Sequence, residues 1–266
     1  MPKFLLNNLN MIEVIHVNKS FDNNPVLKDV SATFQPGQTN MIIGKSGSGK
    51  TVLMKCIIGL HTVDSGKILL NGQNLTEMTF QEVKILRQKV GMLFQGSALF
   101  DSATVLENVL YPLEMFSSMS KAEQIERASF CLHRVSIDPK AFGLYPSEIS
   151  GGMQKRVAIA RAISMNPLYL FCDEPNSGLD PQTSLIIDQL IHEITEEFKI
   201  TTVINSHDMN SVMEIGDNII FIEKGEKSWQ GHRSEIFDTG NKALEDFVFA
   251  SDLYKKVKLS HSLLDK

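Results

Sequence analysis

The chain has 266 residues, of which 42% are hydrophobic, and a formal net charge of −5. That is enough for one large domain, or for one domain carrying an inserted subdomain. The acidic balance argues against a nucleic-acid or polybasic membrane surface, and no run reaches the ~20 apolar residues a membrane helix needs, so work at a membrane would go through a partner. Pro2 to Asn10 holds a single short apolar run, Phe4-Leu5-Leu6, and reads as no secretory leader. Cys56, Cys131 and Cys172 are scattered and form no Cys-x-x-Cys pair. They read as reduced thiols of a cytosolic protein, used as small buried side chains.

In chain order, Val30, Ala32 and Phe34 alternate with Ser31 and Thr33 and predict a half-buried strand, ended by the turn pair Pro36-Gly37. Met41-Ile42-Ile43 predicts a buried strand, and Val52 to Gly59 a helix. Between them lies Gly44-Lys45-Ser46-Gly47-Ser48-Gly49-Lys50-Thr51. Ile68-Leu69-Leu70 followed by Asn71-Gly72 predicts a hairpin with a type I′ turn. Antiparallel strands thus mix with one strand–loop–helix unit up to about residue 95.

From about 97 to 166 β-type runs are few. Glu107 to Phe116 and Lys121 to Arg134 read as helices, Pro139 and Pro146 interrupt, and Gln154 to Ser164 reads as a third helix. This stretch is expected to be a helical insertion. Alternation then returns: Leu168 to Cys172 as a strand, Thr183 to Phe198 as a helix with Ile187, Leu190, Ile191, Ile194 and Phe198 on one face, and Thr201 to Ile204 and Ile219 to Ile222 as strands. Repeated strand–helix–strand units imply an α/β fold with a mainly parallel sheet covered on both sides.

The segment 44–51 fits the phosphate-loop pattern of two glycines flanking four residues, then Lys and Thr, in the strand-to-helix context the motif requires. Glycines let successive N–H groups face one anion, and the helix adds its positive end. Lys50 is placed to reach β- and γ-phosphates, and Thr51 to ligate Mg²⁺. Asp173 and Glu174 follow five apolar residues at the carboxyl edge of a parallel strand, where open α/β sheets bind ligands. Asp173 is suited to hold Mg²⁺ through water, and Glu174 to polarise an attacking water. Gln95 ends the apolar run Gly91-Met92-Leu93-Phe94, where an amide can ligand the metal; taken alone it reads as a satisfied loop glutamine. His207 follows a strand of the same sheet and is placed for a γ-phosphate. Ser150-Gly151-Gly152 opens a helix, and taken alone it reads as a generic N-cap; beside the phosphate loop it reads as a second anion-binding end. A nucleotide does not need two phosphate cradles on one chain. Two subunits in head-to-tail array solve this, each clamping the nucleotide held by the other.

These pieces, in this order, resemble an ATP-binding-cassette ATPase over residues 12 to 240, with 241 to 266 as a C-terminal extension. The resemblance implies a phosphate-loop NTPase core, an antiparallel β subdomain and an inserted helical subdomain. It assigns 44–51 as Walker A, Gln95 as Q-loop, Ile149 to Met153 as signature and Leu168 to Asp173 as Walker B. Glu174 becomes the catalytic base, Ser177-Gly178-Leu179-Asp180 the D-loop and His207 the switch histidine. Phe21 stands where an aromatic stacks on adenine. ATP and Mg²⁺ follow as substrate and ion. The partners implied are a second copy of the chain and a membrane permease at the cytoplasmic face of the inner membrane.

Met153, where the commonest signature has Gln, together with Gln154-Lys155-Arg156-Val157, the segment Gly91 to Ser102, Glu107-Asn108-Val109 and Tyr111-Pro112-Leu113, resembles the ATPases of MCE-type lipid transporters, including the bacterial Mla phospholipid system. That resemblance implies phospholipid transport, an MCE-domain partner and a small accessory subunit. A methionine-uptake-type importer ATPase shares part of the pattern and is the alternative. A non-transport ATPase acting on DNA or ribosomes would need a long coiled-coil insertion or a second cassette, and neither is present in this sequence. In the extension, Leu244, Phe247, Val248 and Leu253 fit a helix with one apolar side. It could pack on its own domain, or serve the dimer or an accessory subunit.

Overall fold

The computed structural model describes residues 10–249. Strands β1 (Ile12–Phe21) and β2 (Asn24–Phe34) pair antiparallel and lead to β3 (Thr39–Ile43) and helix α1 (Lys50–Ile57). Next come the hairpin β4 (Ser65–Leu70) and β5 (Gln73–Asn74), helix α2 (Phe80–Arg87) and β6 (Val90–Leu93). The helices α3 (Val105–Phe116), α4 (Lys121–Arg134) and α5 (Gly151–Ile163) follow, with two short 3-10 turns between α4 and α5. The chain then runs β7 (Tyr169–Asp173), α6 (Pro181–Phe198), β8 (Thr201–Ser206), α7 (Met209–Ile215), β9 (Asn218–Glu223), β10 (Glu226–Gly231) and α8 (Lys242–Val248).

The strands form a four-stranded antiparallel sheet, order β2-β1-β4-β5, and a six-stranded sheet, order β10-β9-β3-β8-β7-β6. The larger sheet is parallel except for the edge strand β10, which pairs antiparallel with β9. Its period-2 side chains divide two cores. Met41, Ile43, Leu170, Cys172, Ile204 and Phe221 face the helical side, while Ile42, Tyr169, Phe171, Val203, Ile220 and Ile222 face the antiparallel sheet and α1. Both faces are therefore covered, as a buried parallel sheet requires.

Local signals start the elements where they should. Thr79, Thr104 and Ser120 each cap a helix in a reciprocal capping box, with Glu82, Glu107 and Glu123 respectively. Asn71 and Gly72 both take positive φ, 51 and 77°, as a type I′ turn demands. The sequence reading missed β1, whose register is broken by bulges with His16 and Asp29 at positive φ. It also missed β10, whose residues carry no apolar alternation. The three cysteines are free and buried; burial pushes the Cys56 and Cys131 thiols up to about 11. Helix α8 packs on its own domain, with Leu244 and Val248 buried and the Phe247 ring 5.5 Å from that of Phe221. Leu253 lies outside the described residues. Among the described residues no helix is long and apolar enough to cross a membrane.

Candidate active site

Sheet order builds the site. β8 lies between β3 and β7, with Ile43 beside Ser206 and Asp173 beside Asn205, and β6 flanks β7 with Leu93 beside Cys172. The carboxyl ends of these strands finish at one edge. Loop 44–51 leaves β3 there, Asp173 and Glu174 end β7, His207 leaves β8 and Gln95 follows β6. A cleft of about 880 Å³ opens at this edge, lined by Lys45, Ser46, Gly47, Gly49, Lys50, Thr51, Gln95, Asp173, Glu174 and His207. Residues from separate parts of the chain thus meet because the parallel topology aligns their strand ends.

The loop is held open by conformations that glycine alone takes easily. Gly44, Gly47 and Gly49 have φ of 145, 77 and 108°. A Cβ on Gly44 would stand 2.2 Å from the Ile222 carbonyl oxygen, so the loop can leave β3 past β9 only without a side chain. Lys50 is buried and bends back over the loop, its Nζ donating to the carbonyls of Gly44 at 2.8 Å and Lys45 at 3.2 Å. Burial lowers its pKa below the usual lysine range, and the carboxylates of Glu174 and Asp173 act in the opposite sense.

Asp173 Oδ1 accepts from Thr51 Oγ1 at 3.4 Å and from Asn205 Nδ2 at 3.0 Å. The Thr51 hydroxyl, the Asp173 carboxylate and the Gln95 amide form an all-oxygen set suited to Mg²⁺. The buried Ser48 Oγ in the same loop has no hydrogen-bond partner, an orphaned group of the kind a phosphate cradle leaves for its ligand. Among the described residues no group of three or more His, Cys, Asp or Glu could hold a metal, so the ion would depend on substrate phosphates for further ligands.

Glu174 takes a left-handed backbone, φ 49°, which a bulky residue adopts only under constraint. Its N–H donates to the Asn205 carbonyl at 3.0 Å, and this bond to β8 helps to hold the turn. Its Oε2 lies 2.7 Å from His207 Nδ1; the Glu174 side chain is 19% exposed and that of His207 69%. Gln95 Nε2 donates to Ser177 Oγ at 3.1 Å, and Lys155 on α5 donates to the Gln95 carbonyl. Gln95 is therefore tied both to the loop after Glu174 and to helix α5, which Ser150 caps.

Two sets of expected residues do not line this cleft. Phe21, at the end of β1, is 39% exposed, with its ring edge-on to His61 at 5.2 Å and Lys19 Nζ 5.1 Å from its centroid. Ser150 caps α5, accepting from the Met153 N–H, and Gly151 and Gly152 form the first turn of that helix. Sequence reasoning named Ser177 only within the D-loop and Lys155 only within a subfamily resemblance, and it gave Asn205 no role. Asn205 left the clearest trace, a fully buried amide at the end of an apolar strand.

A glycine loop between strand and helix, sharing a cleft with an Asp-Glu pair at the end of the strand two places away in the sheet, defines a phosphate-loop nucleotide hydrolase. The comparisons with known proteins narrow this class. Residues 27–177 match the family model described as ABC transporter, and the chain belongs to that family as an ATP-hydrolysing cassette. It is 37% identical over 238 residues to the methionine import ATP-binding protein MetN of Clostridioides difficile (strain 630), covering 90% of this chain and 74% of that protein. It is 37% identical over 231 residues to methionine import ATP-binding protein MetN 2 of Pseudomonas entomophila (strain L48), covering 85% of this chain and 69% of that one. Among solved structures, the ATP-binding cassette MJ0796, a dimer in a post-hydrolysis state bound to ADP and Pi, superposes with a TM-score of 0.75 at 31% identity, covering 84% of this chain and 98% of that chain.

These relatives overturn the expectation of an MCE- or Mla-type phospholipid transporter, and with it the MCE-domain partner: they are named as methionine importers. The structure explains why the residues behind that expectation misled. Met153 is a partly buried side chain packed against the helical core, so packing accounts for an apolar residue there. Phe94, Phe100, Tyr111 and Pro112 line an apolar surface groove. A groove on the surface of the ATPase carries no information on what crosses the membrane.

Proposed function

We propose that this chain is the ATPase subunit of an amino-acid importer of the methionine type, working as a head-to-tail pair beneath a membrane permease at the cytoplasmic face of the inner membrane. One observation carries the hydrolytic part: Lys50, Thr51, Asp173, Glu174 and His207 share one cleft at the carboxyl edge of the parallel sheet. The cargo class is supported by the methionine-import relatives.

In this reading loop 44–51 and Lys50 cradle the β- and γ-phosphates of ATP. Thr51, Gln95 and Asp173 hold Mg²⁺, which when bound offsets charge on the phosphate oxygens. Glu174 accepts a proton from the attacking water as its oxygen bonds to the γ-phosphorus and the bond to ADP breaks, and His207 holds the Glu174 carboxylate in position. Ser150, Gly151 and Gly152 act on the nucleotide of the partner protomer, which accords with their absence from the cleft of their own chain. Phe21 stacks on the adenine.

A second opening of about 600 Å³, lined by Phe80, Phe94, Phe100, Tyr111, Pro112 and Phe116, lies on the side of the Q-loop. Phe80 is 77% exposed, and aromatic surface of this kind marks an interaction site. We assign it to the permease. The test is reconstitution in liposomes with a methionine-importer permease and its solute receptor. Methionine-loaded receptor is expected to raise ATP turnover severalfold. Equal turnover with and without methionine, or stimulation by phospholipid acceptors instead, sinks the assignment.

A further inference from the structure

Asp188 stands in the middle of α6 with 1% of its surface exposed. It lines a second cleft, which shares Glu174 and His207 with the first. One of its carboxyl oxygens, Oδ1, is buried without a hydrogen-bond partner. The groups that favour its charge are Ser211 and Asn176, both neutral; the charged groups facing it are Asp208 and Glu214, which oppose it, and the thiol of Cys172 lies near it on β7. A buried carboxyl with no cation beside it costs stability, and nothing in the packing of α6 against the core requires one.

Its neighbours give the cost a use. Asn176 Nδ2 donates to Ser211 Oγ at 3.0 Å, which joins the loop after Glu174 to the first turn of α7. Asn176 precedes Ser177, the partner of Gln95. Ser211 follows Asp208, the N-cap of α7, which itself follows His207. Asp188 thus lies beside the Asn176–Ser211 bond, which together with the Glu174–His207 contact joins these two segments.

We propose that Asp188 is a positioning residue for ATP hydrolysis: by holding Asn176 and Ser211 together it fixes the D-loop segment relative to His207, and so the Glu174 carboxylate relative to the attacking water. This rests on the assignment of Glu174 as base. It predicts an effect on turnover and none on the phosphate cradle, which lies on other elements.

The test compares Asp188→Leu, which keeps the volume and loses the polar contacts, with Asp188→Asn, which keeps an acceptor oxygen. Steady-state phosphate release by the purified full chain gives kcat and KM, with Glu174→Gln as control. Asp188→Leu is expected to lower kcat at least tenfold with KM for ATP within threefold, and Asp188→Asn to retain kcat within threefold. Wild-type kcat in Asp188→Leu overturns the inference. So does a joint change of kcat and KM that Asp188→Asn does not rescue, because that pattern is a general loss of structure. If Asp188→Leu is silent while Glu174→Gln is inactive, the positioning role alone fails. If Glu174→Gln keeps its rate, the assignment of the base fails with it.

Discussion

The Glu174–His207 contact of 2.7 Å leaves two candidates for the group that accepts the proton of the attacking water. Substituting each in turn separates them by magnitude. Glu174→Gln keeps the side-chain shape and one acceptor oxygen but removes the basic site. Loss of a general base costs about 10²–10⁴-fold, or ~2.7–5.4 kcal/mol at ~1.36 kcal/mol per tenfold. His207→Ala removes a hydrogen bond to a carboxylate, a contact worth about 1.5–3 kcal/mol. With the imidazole 69% exposed, water takes over part of its role, so the low end applies and turnover falls roughly tenfold. ATP affinity should hold in Glu174→Gln, because Lys50 and the loop are untouched and one negative charge leaves the cleft. The assay is phosphate release under saturating ATP, beside equilibrium binding of a fluorescent ATP analogue. A stable ATP-bound dimer should also accumulate on gel filtration for Glu174→Gln. A His207→Ala defect as deep as that of Glu174→Gln, or a Glu174→Gln rate within threefold of wild type, refutes Glu174 as the base.

Gly91→Ala should destabilise the fold by about 1–3 kcal/mol, because the new Cβ would stand 2.4 Å from the Ala162 carbonyl oxygen where α5 crosses β6; Gly143→Ala, with nothing within 4 Å, is the matched control in urea unfolding. Phe80→Asp should abolish stimulation by the reconstituted permease and leave the basal ATPase rate within twofold; equal loss of both would remove the groove from the coupling path. Burial pushes the Asp188 carboxyl up to about 6 from 3.8, so the folded chain binds more protons than the unfolded one between these values. Stability owed to Asp188 therefore falls as pH rises from about 4 through about 6, the reverse of a salt-bridged aspartate. Asp188→Asn should gain on wild type across that window by up to about 3 kcal/mol at pH 7; a constant difference between pH 4 and pH 7 in chemical unfolding would contradict the buried, unpaired carboxyl.

What could be read from the sequence was local chemistry. The phosphate loop is a contiguous string whose glycines serve the backbone and whose Lys50 and Thr51 serve the ligand, so the motif is complete without the fold. Asp173 and Glu174 were visible because two carboxylates after five apolar residues break a buried strand at its edge. The helices α3 and α4 carry their capping boxes in the sequence itself. Strand β10 carries no comparable signal: Glu226 to Gly231 holds a single apolar side chain, Trp229, and is a strand because β9 offers it an edge. Cargo was illegible for a different reason, since the residues read for it lie in an interior contact and a surface groove of the ATPase.

Asn205 and Asp188 mark the boundary between these cases. Each is a polar residue inside an apolar pattern: Asn205 in the buried run of β8, Asp188 on α6 beside Ile187 and three residues before Ile191. Periodicity exposes such an anomaly but cannot assign it, because its partners come from elsewhere in the chain. Asn205 meets Asp173 only because β8 lies beside β7 in register. Asp188 meets Asn176 and Ser211 only because α6 and α7 pack together. A charge placed against its own solvation preference persists where geometry is worth more than stability. That is why the buried carboxyl on α6 is sought at the junction of the segments that carry Glu174 and His207, and why its removal should separate the rate of hydrolysis from the strength of ATP binding.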